Sequence, residues 1–211
     1  MIAIIPARKG SKRLPNKNIT FLGSNRLIDW TVEAAKKSEC FETIIISTDC
    51  PEIKNLYKYD FEITIHNRPV HLAGDLASSE DVIKDVIINS EKNIQNQANS
   101  FMLLQPTSPL RTSDQIIETC TFHQSNSYVG VVSSVKHKNN ENKFLMIHAR
   151  DQKNFVPNGA IYLSSISSFL TSGSFYSSTF YSYSMCKKTS VDIDTIDDFN
   201  LAKSFLQKGN T

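Results

Sequence analysis

Short apolar runs alternate with helical stripes along the chain. Ile2-Ala-Ile-Ile-Pro6, Ile44-Ile-Ile46-Ser-Thr48, Phe101-Met-Leu-Leu104, Tyr128-Val-Gly-Val-Val-Ser133 and Ala160-Ile-Tyr-Leu163 have the length of strands, and most are apolar on successive residues. That is the signature of strands covered on both faces. A weaker strand is expected over Phe61-Glu-Ile-Thr-Ile65. Between them the apolar period changes to that of a helix. Leu27, Ile28, Thr31, Ala34 and Ala35 mark one ending near Ser38, and a short helix is expected around Ile53 to Lys58. Ser78 or Ser79 can cap another, with Val82, Ile83, Val86 and Ile87 on its apolar face, and Thr112 or Ser113 a third, with Ile116, Ile117 and Cys120. Thr195 and Asp198 form a capping box for a terminal helix facing inward through Leu201, Ala202, Phe205 and Leu206. Strands alternating with helices predict an α/β fold of three layers, a mainly parallel sheet flanked by helices on both faces.

A chain of 211 residues with 40% hydrophobic content suits one domain over 1–211. Glu91 to Ser100 reads as an exposed turn, and the charged stretch near 136–157 as a small lobe or dimerisation hairpin that leaves the main sheet. Residues 164–184 are so rich in Ser, Tyr and Phe that pattern alone does not organise them. There are 23 basic and 21 acidic residues, a net charge of +2, which gives no polyelectrolyte character and no reason to expect nucleic acid as a partner. The opening apolar run is too short for a signal peptide or membrane span, and no later run approaches eighteen apolar residues. Four widely spaced cysteines with no C-x-x-C pair read as reduced thiols. A cytoplasmic protein without membrane association is expected.

The candidate chemistry is concentrated at a few strand ends. The first strand runs into Arg8-Lys-Gly-Ser-Lys-Arg-Leu-Pro-Asn-Lys17-Asn18. Gly10 permits close approach of backbone to an anion, amides around Ser11 can form a nest, and Arg8, Lys12 and Lys17 can neutralise several phosphate charges. Neither G-x-G-x-x-G nor G-x-x-x-x-G-K-[ST] is present, and a solvated basic loop is the competing reading. Asp192-Ile-Asp194 puts two carboxylates on one side of an extended segment, a donor pair suited to Mg²⁺, although an ordinary polar strand edge shares the pattern. The five histidines show no zinc spacing, and no serine lies in a G-x-S-x-G elbow. Arg68 and Arg111 sit in Pro-containing loops where a surface charge is equally consistent.

Taken together and in order, Ile5-Pro-Ala-Arg-Lys-Gly-Ser-Lys-Arg-Leu-Pro-Asn-Lys-Asn18, Ser47-Thr-Asp49, Arg68-Pro with Leu72-Ala-Gly-Asp75, Leu103-Leu-Gln-Pro-Thr-Ser-Pro-Leu-Arg111, Pro157-Asn-Gly-Ala-Ile-Tyr162 and Asp192-Ile-Asp-Thr195 span nearly the whole chain. The set resembles the acylneuraminate cytidylyltransferases, or CMP-sialic acid synthetases. The resemblance implies a nucleotide-diphospho-sugar transferase-like, Rossmann-type fold. It also implies transfer of CMP from CTP to an acidic nine-carbon sugar, a sialic acid or a related nonulosonate such as legionaminate or pseudaminate; Kdo is a further alternative, and a non-catalytic nucleotide or sugar sensor a remoter one. Residue by residue it implies catalytic roles for Arg8, Lys12, Lys17, Asp192 and Asp194, with Mg²⁺ (or Mn²⁺) on the two aspartates. Ser11 would join the triphosphate cradle, Asn18 lie near the ribose, and Arg68 with the loop through Asp75 recognise the nucleoside. Gln105, Lys143, Asn158 and Tyr162 fall on the substrate side. The Lys143 to Asn158 interval is shorter than is typical of that family, so that its arginine for the sugar carboxylate has Arg150 as nearest candidate. A homodimer is the assembly implied.

Overall fold

The structure is a computed structural model. It describes residues 1–11, 13–89, 98–136, 142–176 and 179–207, with the backbone alone at 149, 150 and 154. The chain opens with β1 (Ile2–Pro6), a 3-10 turn at Lys17–Ile19 and a small hairpin of β2 (Phe21–Leu22) and β3 (Asn25–Arg26). Next come α1 (Leu27–Ser38), β4 (Thr43–Thr48), α2 (Pro51–Tyr57), β5 (Ile63–Asn67) and α3 (Ser79–Asn89). The second half holds β6 (Ser100–Leu103), α4 (Ser113–Ser125), β7 (Val131–Val135), β8 (Phe144–Ile147), β9 (Pro157–Ser165), α5 (Ile166–Ser172), β10 (Phe180–Met185) and α6 (Ile196–Gln207).

Eight of these strands form one sheet in the order β5-β4-β1-β6-β9-β7-β10-β8. β5, β4, β1 and β6 are parallel, and so are β7 and β10, whereas β9 and β8 run against their neighbours. The sequence of β1 shows why two helical layers are required. Its Ala3 and Ile5 pack with Ile28 of α1, Ile53 of α2 and Ile116 of α4, while Ile2 and Ile4 pack on the other face with Ile83 and Val86 of α3 and Phe169 of α5. Side chains alternate across a strand, so a run apolar at every position must be covered twice. Each such side chain contributes about 1.5–3 kcal/mol when withdrawn from water. A third cluster joins Leu22, Leu27 and Leu110 to Val191, Ile193 and Ala202. This cluster fixes the segment after β10, and with it the two aspartates, beside the opening loop.

Several local expectations are corrected. The weak strand is β5, two residues later than expected, because Phe61 stands 92% exposed in a turn and the pairing runs from Ile44↔Ile63 to Thr48↔Asn67. Tyr128 is not in β7: Ser127 and Tyr128 turn through the left-handed region, with φ 53° and 60°, and the His123 ring is hydrogen-bonded to the Val129 carbonyl oxygen at 2.6 Å. Ile117 and Leu201 point outward. The inward stripe of α4 is Ile116, Thr119, Cys120 and His123, the true helical period, and Ala202 is the buried residue of α6.

The segment expected to leave the sheet instead supplies its edge strand, β8, antiparallel to β10. Phe144 draws it there by stacking on Phe122, with ring centroids 3.8 Å apart, and by meeting Tyr183 at 5.0 Å. Residues 137–141 of that segment, and most of the expected exposed turn (90–97), lie outside the described residues. Within 164–184, Ser165 caps α5 by accepting from the Ser168 amide, Gly173 ends it at φ 71°, and Phe180 and Tyr183 of β10 are buried. The described cysteines are all free. Among the described residues no helix is long and apolar enough to cross a membrane.

Candidate active site

The strand ends that carry the candidate chemistry meet. β1, β4, β6 and β10 all release their loops at one edge of the sheet, where ligands collect in open α/β folds. A cavity of about 640 Å³ opens there. Nine of the expected residues line it: Arg8, Ser11, Lys17, Asn18, Arg68, Asp75, Gln105, Asp192 and Asp194. Lys12 lies outside the described residues.

The opening loop is tied to its neighbours at several points. The Lys9 amide donates to Asp49 Oδ1 at 2.8 Å, Asn18 Nδ2 donates to the Arg8 carbonyl at 3.0 Å, and Thr48 Oγ1 donates to the Ala7 carbonyl at 2.5 Å. Asn18 therefore braces the cradle as well as lining it. Arg8 pairs with Asp75 at 2.8 Å and donates to the Ala73 carbonyl at 3.4 Å, closing one side of the cavity. Arg68 is buried, donating to the Ser47 carbonyl at 2.8 Å and Ser47 Oγ at 3.3 Å. Burial, together with the Arg8 charge, lowers its pKa to about 10 against the pull of Asp49. The guanidinium is still charged at neutral pH, so the site keeps a cation whose burial is unfavourable to folding.

The opposite wall carries the acid groups. Val191 and Ile193 are buried, so the alternating segment turns Asp192 and Asp194 together into the cavity. Lys17 Nζ donates to the Ile193 carbonyl at 2.7 Å and pairs with Asp194 Oδ1 at 3.2 Å, while Arg13 reaches Asp194 Oδ2 at 3.1 Å. Asp192 is more enclosed. Burial, and then the charges of Asp194 and Asp198, push its pKa up, against a hydrogen bond from Thr107 and the charge of Lys17. Its Oδ1 is buried without a hydrogen-bond partner among the described residues. An orphaned carboxylate oxygen beside a second carboxylate is a hard-donor pair suited to a cation. Among the described residues no group of three or more His, Cys, Asp or Glu side chains could hold an ion by itself. Two carboxylates with the shell completed by water and substrate phosphate is the Mg²⁺ pattern, and these residues fit it.

Four expected site residues stand elsewhere or are incomplete. Lys143 pairs with Glu118 at the β8 edge and sits over the Tyr183 ring. Asn158 is buried, accepting from Ser133 Oγ at 2.6 Å and donating to Ser190 Oγ at 2.9 Å, so its amide is used inside the sheet. Tyr162 packs its ring 5.1 Å from Phe175 and shares a hydrogen bond with Tyr176, with burial raising its pKa. The side chain of Arg150 is outside the described residues.

Three contributors were not among the expected site residues. Arg13 lines the cavity and holds Asp194. Gly159, at φ 81°, leaves the space in which a Cβ would lie 3.0 Å from Gln105 Oε1 and 3.4 Å from Asp192 Oδ2. Its place in the Asn-Gly-Ala run of a strand was the available signal. Arg111, wholly buried, donates from Nη1 to the Ala160 carbonyl at 2.8 Å and the Gln105 carbonyl at 3.4 Å, and burial lowers its pKa to about 9. It fastens the Gln105 loop to β9 beneath the cavity.

Comparison with known proteins gives a consistent result. The family model described as Cytidylyltransferase matches residues 2–208. The chain is 36% identical over 230 residues to the N-acylneuraminate cytidylyltransferase of Escherichia coli O18:K1:H7, covering all of this chain and 53% of that protein. It thus spans about half the length of that curated relative. It is 32% identical to the CMP-N,N'-diacetyllegionaminic acid synthase of Legionella pneumophila, over 98% of this chain and 96% of that protein. A solved CMP:2-keto-3-deoxy-manno-octonic acid synthetase complexed with CTP superposes with a TM-score of 0.68 at 14% identity, covering 99% of this chain and 98% of that one, a likeness of fold.

Proposed function

We propose, proceeding from the fact that this chain belongs to the cytidylyltransferase family, that it couples CTP to a nine-carbon α-keto acid sugar, giving the CMP-sugar and pyrophosphate. The observation that carries this reading is the meeting of a cationic loop with the Asp192 and Asp194 pair in one cavity, with Gln105 on the same lining. A nucleotide sensor has no need of both a leaving-group cradle and a carboxylate pair. The anomeric hydroxyl oxygen attacks the α-phosphorus, the bond to the β-phosphate oxygen breaks, and the hydroxyl proton passes to solvent. Arg8 and Lys17, with Lys12 and Ser11 from the same loop, hold the triphosphate and stabilise charge on the departing pyrophosphate, since positioning and electrostatics are most of phosphoryl-transfer catalysis. Arg68 with the Leu72–Asp75 loop takes the nucleoside, and Gln105 faces the sugar. Asp192 and Asp194 would hold Mg²⁺ (or Mn²⁺), which when bound neutralises phosphate charge and lowers the pKa of the attacking hydroxyl. Homodimerisation and a cytoplasmic location belong to the same reading and rest on the family resemblance.

The sugar is a sialic acid in this reading. A second, the same reaction on legionaminate, is favoured by the legionaminic acid relative that matches along nearly its whole length. Pyrophosphate release with Mg²⁺ and CTP against N-acetylneuraminate, legionaminate, pseudaminate and Kdo tests both. Release with one nine-carbon sugar is expected; release with none of them, CTP still binding, overturns the assignment of the reaction.

Arg68 offers a separate check. Arg68→Met is expected to raise the KM for CTP about 10- to 100-fold, the worth of one charge-assisted hydrogen bond, with a melting temperature unchanged or higher because a buried charge has been removed. An unchanged KM would take Arg68 out of nucleotide recognition.

A further inference from the structure

We propose that Arg13 occupies Asp194 in place of the divalent cation, and that cation binding and the Arg13–Asp194 contact are mutually exclusive. The inference rests on the reading of Asp192 and Asp194 as the metal-binding pair and adds a residue that regulates how readily the pair is filled.

Both oxygens of the Asp194 carboxylate are taken, Oδ1 by Lys17 at 3.2 Å and Oδ2 by Arg13 at 3.1 Å. The cation entering between Asp192 and Asp194 therefore meets two positive groups already in place, and like charges at this range repel. One of them must yield, and the two are not equally free to do so. Lys17 is 12% exposed and anchored a second time by the Ile193 carbonyl at 2.7 Å, so it has little freedom to leave. Arg13 is 67% exposed, and among the described residues it pairs with no other carboxylate. Exposed ion pairs are weak, so the exchange costs little. The released guanidinium stays on the lining of the same cavity, where an anionic nucleotide is the natural partner for its planar fork. Arg13 thus neutralises the Asp194 carboxylate and couples cation entry to triphosphate binding.

The test uses Mn²⁺ alone, titrated into the full chain without nucleotide and followed by the electron paramagnetic resonance of free Mn²⁺. Arg13→Ala and Arg13→Gln are both expected to bind Mn²⁺ about fivefold more tightly than the unmodified protein, the scale of one exposed ion pair. The gain should shrink at high salt, where surface charges are screened. CTP, titrated with Mn²⁺ saturating, is expected to bind several-fold more weakly to both variants. Loss of a merely structural contact would weaken the two ligands together, so the opposite signs are diagnostic. Equal or weaker Mn²⁺ binding in both variants, or no binding in any form of the protein, overturns the proposal. The Mn²⁺ result does not depend on turnover: absence of pyrophosphate release with a normal Mn²⁺ shift would refute the reaction and leave the exchange standing.

Discussion

Asp192→Asn is expected to reduce pyrophosphate release by about 10³-fold or more, the scale set by the loss of a group that stabilises transferring phosphate, and at the same time to make the metal-free protein more stable. The gain in stability has its own cause. Asp192 is enclosed, its Oδ1 has no hydrogen-bond partner among the described residues, and burial with the neighbouring Asp194 charge raises its pKa. A carboxyl that holds its proton more tightly folded than unfolded makes stability fall as pH rises through the interval between the two pKa values, and the deficit persists at neutral pH. Asn has the same shape and no charge, so the variant should melt higher than the unmodified protein at pH 7. The difference should vanish near pH 3, where the carboxyl is protonated in both states. Thermal melts across pH 3 to 8 check the sign, and a variant that melts lower at neutral pH while retaining turnover would remove Asp192 from the metal-binding role.

That an unfavourable group is retained at this position fits a general division between what the sequence makes legible and what it does not. The sheet was legible because β1, β4 and β6 are apolar at successive positions, and only cover on both faces satisfies such runs. The cationic loop and the aspartate pair were legible because each is a dense local cluster of groups that have no reason to gather at random. β8 and β10 were not. β10 alternates aromatic residues with Ser inside a stretch of the same composition, β8 is only four residues long, and what draws β8 to the edge is the stacking of Phe144 on Phe122, a contact between distant parts of the chain. The same holds for Asn158, whose place in a motif suggested substrate contact, whereas its amide is spent on Ser133 and Ser190. Residues read from a local string are reliable where the string itself makes the site, and less so where a side chain can turn to either face of a strand.

Gly159 is the sharpest case of a role that only the assembled sheet reveals, and its replacement carries the other large expected effect. β9 enters the sheet beneath the cavity with Gly159 at φ 81°, a conformation that disfavours any residue bearing a Cβ by about 1–2 kcal/mol. A Cβ built there meets Gln105 Oε1 at 3.0 Å and the Asp192 carboxyl at 3.4 and 3.5 Å. Gly159→Ala is therefore expected to lower the melting temperature by a few degrees and, by displacing Gln105 and Asp192 together, to cut kcat/KM for the sugar about 100-fold, the usual consequence of misplacing reacting groups by about 1 Å. Gly130→Ala serves as the control: its Cβ would meet Phe180 at 3.5 Å, ordinary contact, and its backbone does not demand glycine. Steady-state kinetics on the two variants distinguishes a packing glycine from one that makes room for the site. Equal activity in both would mean that β9 shifts to accommodate the methyl group and that the close approach of Gly159 to Gln105 and Asp192 is not needed for the reaction.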